Sequence, residues 1–340
     1  NRSFWIGSDD TSLAAMNTAI IGWDIGGAHV KAAAVDSSGK LLAAQQWACP
    51  LWQGVEHLEL AIDQVLDTYG RAPRHAVTMT GEMADLFADR TTGVTSILSS
   101  LQAQLDDTHI RLYAGEHGFV APETAQENAA QVASANWHAT ARLVATKLAS
   151  ALVIDIGSTT TDIVSVAAHR VGNGAANDSD RLACDELVYT GVVRTPLFAL
   201  AKRAPFGGQW IATMAEYFAT TADVHRLTGD LPAHADLQPS ADHQDKSELA
   251  SARRLARMVG RDVDDAPLQR WRALAGWFAE QQRRHIENAA LRVLSRDDLP
   301  SDAPVVGAGV GRFLARQLAQ RLGRSYLEFH ELVAAPSYAS

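Results

Sequence analysis

Two short stretches of the chain place an aspartate just before a glycine turn: Trp23-Asp24-Ile25-Gly26-Gly27 and Ile154-Asp155-Ile156-Gly157-Ser158. An aspartate that ends a buried strand can hold a cation, while the turn after it offers backbone N–H groups to an anion. Glycine leaves out the Cβ that would keep phosphate oxygens from the backbone. Magnesium takes oxygen ligands and is commonly shared between one or two carboxylates and phosphate oxygens. These types and spacings point to a magnesium-diphosphate or polyphosphate site, with Asp24 and Asp155 as metal ligands. Gly26, Gly27, Gly157, Ser158, Thr159 and Thr160 would form the phosphate-facing turns. A hairpin aspartate capping its own turn explains either stretch alone. The repetition, with a third glycine-rich turn near the C-terminus, favours the ligand reading.

Further candidates lie near these stretches. Lys31 and Asp162 each fall seven positions after a turn aspartate, inside otherwise apolar runs. Burying either charge alone is costly, so both are expected to face the ligand cleft, Lys31 toward phosphate and Asp162 as a further metal ligand, with an edge position open to water as the alternative. Thr78-Met79-Thr80-Gly81-Glu82 runs from a strand end into an expected helix start, which makes Glu82 a candidate general base or a partner of the helix dipole. The run Gly307-Ala308-Gly309-Val310-Gly311 sits between a strand and a helix. As a dinucleotide fingerprint it is the weaker reading, since it comes late, lacks a well-placed acidic partner and leaves both Asp-Ile-Gly turns unexplained. His225, His234 and His243 recur among aspartates but match no short ligand spacing, and are expected to be solvated loop residues.

The elements that must carry these residues follow from periodicity. Residues 18–25, 29–35 and 40–47 read as a meander of three strands, 54–69 as a helix, 76–80 as a strand and 82–105 as a helix. The second part repeats the opening: a helical stretch over 129–150, then strands over 151–156 and 160–167 around Gly157. Past residue 190 helices are expected over 210–227, 247–259 and 267–294, with a polar stretch at 230–245 as a loop or lid. Trp271, Leu274 and Phe278 share a helix face and read as core. A last strand over 304–306 feeds the 307–311 turn and a helix over 312–322. The expected organisation is an extension over 1–17, with Met16 as a candidate start, a first half over 18–125 and a second over 126–340. The second half carries a helical insertion at about 205–295. The two halves are expected to be α/β and to face one another across a ligand cleft, so that Asp24 and Asp155 converge.

Composition narrows the partners. The 340 residues exceed the usual size of one core. A net charge of -9 without basic blocks argues against nucleic acid, and no apolar run is long enough to span a bilayer. Cys49 and Cys184 lack partners in a CxxC pattern and read as free thiols, consistent with a cytoplasmic protein.

The two turns and the glycine-rich tail resemble the two phosphate motifs and the adenosine motif of the actin/sugar-kinase/Hsp70 superfamily. Asp155-Ile156-Gly157-Ser158-Thr159-Thr160-Thr161-Asp162 is most similar to its hydantoinase/oxoprolinase-like branch. Residues 23–31, 78–82, 189–196 (Tyr-Thr-Gly-Val-Val-Arg-Thr-Pro) and 253–258 resemble the family linked to tetrahydromethanopterin-dependent C1 transfer. The resemblance implies a two-domain actin-like (ribonuclease H-like) fold, with Gly307, Gly309 and Gly311 where an adenosine motif would lie. It also implies a methanofuran-pathway reaction without ATP, in which the phenol of γ-glutamyltyramine, or a tyrosine-type acceptor, displaces diphosphate from a furanmethanol diphosphate. Magnesium is the implied cofactor, Arg194 and Lys31 would hold the diphosphate, and Asp155, Glu82 and Lys31 would carry the chemistry. The chain departs from the family pattern in its loop at 172–180 and in its N-terminal extension. An ATP-dependent kinase or hydantoinase-like ATPase, and a nucleotide-switched protein without enzymatic activity, are the competing functions for this fold.

Overall fold

The computed structural model describes residues 17–105, 109–172 and 177–333, so the 1–16 extension with its candidate start and the tip of the 172–180 loop lie outside the described residues. The chain falls into two compact units, 1–136 and 137–338.

In the first unit, strands β1 (Ile20–Ile25), β2 (His29–Val35), β3 (Leu41–Ala48), β4 (Arg74–Met79), β5 (His109–Tyr113) and β6 (Phe119–Val120) form a sheet in the order β3-β2-β1-β4-β5-β6. β1 pairs antiparallel with β2 and parallel with β4. The helix Glu56–Tyr69 buries Leu58, Ala61, Ile62, Val65 and Tyr69, the stripe that its periodicity dictates, and ends at Gly70 with φ 74°. The short helices Pro122–Glu127 and Ala129–Val132 bury Ala125, Ala129 and Val132 in this same core, which is why the first unit extends to residue 136.

The second unit repeats the plan. Strands β7 (Ser150–Ile156), β8 (Thr161–Ala167), β9 (Arg170–Val171), β10 (Leu187–Val188), β13 (Val305–Ala308) and β14 (Tyr326–Glu328) build a sheet in the order β10-β8-β7-β13-β14, with β9 on β8. β7 is antiparallel to β8 and parallel to β13. Covered on both faces, β7 reads as a continuous apolar run. Leu152, Ile154 and Ile156 enter one core, while Ala151 and Val153 enter another. A third core, around Trp271, Leu274 and Phe278, joins the helices Thr221–Thr228, Glu248–Arg257 and Leu268–Leu294, as the helix face predicts.

Several expectations need correction. Residues 209–212 are strand rather than helix: β11 (Arg203–Phe206) and β12 (Gln209–Ala212) form a hairpin across Gly207-Gly208, whose φ values of 60° and 80° suit a primed turn. The helix expected from residue 82 begins only at Arg90, after a tight turn over Gly81–Met83. The 129–150 stretch is two helices, Ala129–Val132 and Asn136–Lys147. The 230–245 segment is fastened rather than loose. Arg226 binds Asp236 at 2.6 Å, and the fully buried Arg254 binds Asp223 at 2.8 Å and Asp242 at 2.9 Å. No helix among the described residues is long and apolar enough to cross a membrane.

Candidate functional site

The repeated motif is a repeated geometry. In the first unit Gly26 N–H donates to His29 C=O at 2.9 Å, and in the second Gly157 N–H donates to Thr160 C=O at 2.9 Å, closing equivalent turns. In each hairpin the turn aspartate stands directly opposite the residue seven positions later, Asp24 across from Lys31 and Asp155 across from Asp162.

The two hairpins then diverge in charge. Lys31 Nζ lies 3.0 Å from Asp24 Oδ2, an internally neutralised and half-open pair. Among the described residues, Asp24 Oδ1 is buried without a hydrogen-bond partner, and an orphaned carboxylate oxygen of that kind fits a cation or an incoming donor. A Cβ on Gly27 would meet nothing within 4 Å, so neither crowding nor a positive φ requires glycine there. The open space beside the backbone suits a phosphate.

Asp155 instead faces a second acid, an arrangement that is destabilising when both are charged. Asp162 is neutralised by Arg181, whose Nη1 lies 2.8 Å from its Oδ1. Arg181 is 1% exposed, and its guanidinium carbon sits 4.0 Å above the Trp137 ring. Asp162, an expected metal ligand, is thus paired through Oδ1 with a buried cation of its own unit. No group of three potential metal-ligating side chains occurs among the described residues. Asp155 is left as the second unit's candidate ligand.

Three backbone segments close around Asp155. The Gly157–Thr160 turn follows it directly, and residues 191–194 brace that turn: Val192 N–H donates to Gly157 C=O at 3.0 Å, and Val193 and Arg194 N–H to Ser158 C=O at 3.1 and 2.9 Å. The segment from Tyr189 to Pro196 thereby brings Arg194, half-buried, to the turn. On the other side Ala308 of β13 pairs with Asp155, and Gly309, at φ 78°, lies so close that a Cβ would come within 2.5 Å of Asp155 Oδ1 and 2.3 Å of Ile156 C=O. Gly307 and Gly311 have another cause. A Cβ at Gly307 would meet the Tyr326 hydroxyl at 2.3 Å, and one at Gly311 would meet Ile156 Cγ2 at 2.4 Å. Those two glycines of the adenosine-motif-like run make room for the protein's own side chains.

Glu82 is 1% exposed and accepts a hydrogen bond from Ser134 Oγ at 2.9 Å. A Cβ on Gly81 would lie 3.3 Å from the Gly26 carbonyl carbon, and one on Gly93 would lie 2.4 Å from Glu82 C=O, so the backbone at Glu82 is wedged between the first turn and the helix Arg90–Leu105. The carboxylate meets no solvent, which fits bracing the turn better than taking a proton from a bulky substrate. Asp85 is exposed ahead of that helix. Cys49, beside the same turn, is buried and its thiol is pushed up to about 12 by desolvation, so it is no nucleophile. The histidines do not assemble. His225 is fully buried on a helix, against the expectation of a solvated loop residue, whereas His234 is half-buried and His243 exposed.

Sequence reasoning missed Arg181, Ser134 and Gln282. Gln282 carried a signal, as a lone amide on the buried stripe of Phe278, Ile286 and Ala289.

Two glycine turns on duplicated strand hairpins, each preceded by an aspartate near the end of its first strand, define an α/β protein of the two-domain actin-like class. The nucleotide-free structure of an acetone carboxylase, described with ATP-dependent acetone carboxylation, shares this fold at a TM-score of 0.59 and 9% identity, over 91% of this chain and 68% of that one. The chain belongs to the hydantoinase/oxoprolinase family, whose profile matches residues 74–339. It is 29% identical to the (4-{4-[2-(gamma-L-glutamylamino)ethyl]phenoxymethyl}furan-2-yl)methanamine synthase of Methanocaldococcus jannaschii over 82% of this chain and 83% of that protein. The protein of the same name from Methanococcus vannielii is 40% identical over 75 residues, 22% of this chain and 32% of that protein.

Proposed function

We propose that this protein is a synthase of methanofuran-type cofactor biosynthesis that joins a furanmethanol diphosphate to the phenol of γ-glutamyltyramine or a tyrosine-type acceptor. The phenol oxygen bonds to the furan methylene carbon, the carbon–oxygen bond to diphosphate breaks, and the bonding pair leaves with diphosphate. One phenol and one diphosphate ester give one aryl ether, one diphosphate and one proton. The observation that carries the reading is the glycine turn beside Asp155, whose backbone residues 191–194 brace, as a cradle for a leaving diphosphate. The name of the relative matched over most of its length supports the choice of substrates.

In this scheme the Gly26-Gly27 and Gly157–Thr160 turns bind phosphate oxygens through their backbone, and the Ser158, Thr159 and Thr160 hydroxyls add donors. Arg194 and Lys31 offset the anionic charge; the Lys31–Asp24 pair, half in solvent, can exchange an internal contact for a ligand one. Asp155, with Asp24 its counterpart in the first unit, is the proposed holder of Mg2+, which would supply charge stabilisation of the departing diphosphate. Furan resonance spreads the positive charge that develops on the methylene. Glu82 and Ser134 fix the end of β4 against the first turn. The partners are small molecules, and ATP has no part in the reaction.

The test is phosphorus NMR of purified protein with magnesium, the furan diphosphate and γ-glutamyltyramine. Inorganic diphosphate should appear only when the phenol is present, and added ATP should stay intact. Substrate-dependent ATP consumption would replace this reading with that of a kinase or hydantoinase-like ATPase.

A further inference from the structure

A line of buried polar groups runs behind the second glycine turn and has no part in the chemistry above. Gln282, in the middle of the helix Leu268–Leu294, is fully buried. Its Nε2 donates to Thr190 Oγ1 at 2.9 Å and to Gly191 C=O at 2.8 Å, while its Oε1 faces Nε2 of the equally buried His225 at 2.7 Å. With both amide hydrogens committed to residues 190 and 191, the amide oxygen must face the imidazole, so His225 Nε2 carries the proton. Desolvation lowers the His225 pKa and keeps the ring neutral. Thr190 C=O accepts from Thr161 Oγ1 at 2.7 Å, and Gly191 C=O also accepts from Thr221 Oγ1 at 2.7 Å. Gly191 in turn lies flat on the turn: a Cβ there would stand 2.4 Å from the Ser158 carbonyl carbon and the Thr159 nitrogen.

We propose that Gln282, oriented by His225, is a positioning residue for the phosphate-holding turn at 157–160, acting through residues 190–194; the ligand in this statement rests on the function proposed above. An apolar side chain would satisfy the helix stripe at this position as Phe278 and Ile286 do. A buried amide is costly unless each of its bonds is made, and here each is made to the brace or to the residue that orients it. The amide therefore couples the helical core of the second unit to the placement of the Ser158 and Thr159 backbone.

Two readouts test this: amide hydrogen exchange at residues 192–194, and isothermal titration with magnesium diphosphate. Gln282→Leu keeps the volume but removes both donors. It should speed exchange at those amides about tenfold and weaken diphosphate binding about tenfold, with exchange inside β7 unchanged. His225→Leu should act the same way, whereas His225→Gln, whose amide can still donate to Gln282 Oε1, should restore both readouts. Should Gln282→Leu fail to fold, the His225 pair decides. Wild-type exchange and affinity in the leucine variants, or no difference between His225→Gln and His225→Leu, overturns the proposal. A wild type that binds no diphosphate removes the functional reading, while the exchange rates still decide whether Gln282 braces the turn.

Discussion

Gly309 and Gly208 share a positive φ, of 78° and 80°, but not a neighbourhood. An alanine at either position must adopt the left-handed conformation, at about 1–2 kcal/mol. At Gly208, on the β11–β12 hairpin, that is the whole cost, because a Cβ there meets nothing within 4 Å. At Gly309 the new methyl would stand 2.3 Å from Ile156 C=O and 2.5 Å from Asp155 Oδ1. The first of these is backbone and cannot swing aside, so overpacking adds about 1–3 kcal/mol and displaces the Asp155 carboxylate. The pair Gly309→Ala and Gly208→Ala cancels the conformational cost and isolates the contact with the site. Urea unfolding followed by tryptophan fluorescence should give Gly309→Ala the lower midpoint. Calorimetry should find magnesium-diphosphate binding as in wild type for Gly208→Ala and lost in Gly309→Ala. Equal midpoints together with wild-type binding in both variants would refute the assignment of Gly309 as the wall of the Asp155 site.

Asp155→Asn and Asp162→Asn should differ in kind. The first should cut turnover about a hundredfold or more while keeping the unfolding midpoint, whereas the second strands the buried Arg181 and costs about 3–5 kcal/mol in denaturant titrations. Arg254→Met leaves Asp223 and Asp242 without their shared cation, at a similar cost of about 3–5 kcal/mol, and should open the 230–246 segment to limited proteolysis. His75 accepts a hydrogen bond from Trp23 Nε1 at 3.0 Å, and burial holds its pKa at about 4. The unfolded chain protonates this residue near 6.5, so stability is complete above that pH and falls as pH drops toward 4, by about 3 kcal/mol in all. Urea midpoints measured between these pH values should show the slope, and His75→Asn should flatten it.

The strand-turn-strand repeat was legible because glycine interrupts two β-branched runs at equal spacing from an aspartate, a local pattern that survives whatever packs around it. The long helix was legible for the same reason, through Trp271, Leu274 and Phe278. The β11–β12 hairpin was missed although Gly207-Gly208 is a hairpin signal, since the apolar residues after it were read at helical period instead. The charges around Asp155 were harder. Nothing near Asp162 in the sequence neutralises it; its partner, Arg181, comes from a separate helix, Asp178–Ala183. Spacing does not tell a glycine that faces a ligand from one that makes room for a side chain of the protein, as Gly307 does for Tyr326 and Gly311 for Ile156. Long-range contacts decide such cases, and they leave no mark in spacing.

In the proposed reaction the bond formed is carbon–oxygen and diphosphate is only a leaving group. Acceptor labelled with oxygen-18 in its phenol, incubated with the protein, magnesium and the furan diphosphate, tests this directly by mass spectrometry. The ether should retain the label and the diphosphate should be free of it. Label in a phosphorylated phenol, or recovery of unchanged phenol beside furanmethanol and phosphate, would contradict the proposed reaction.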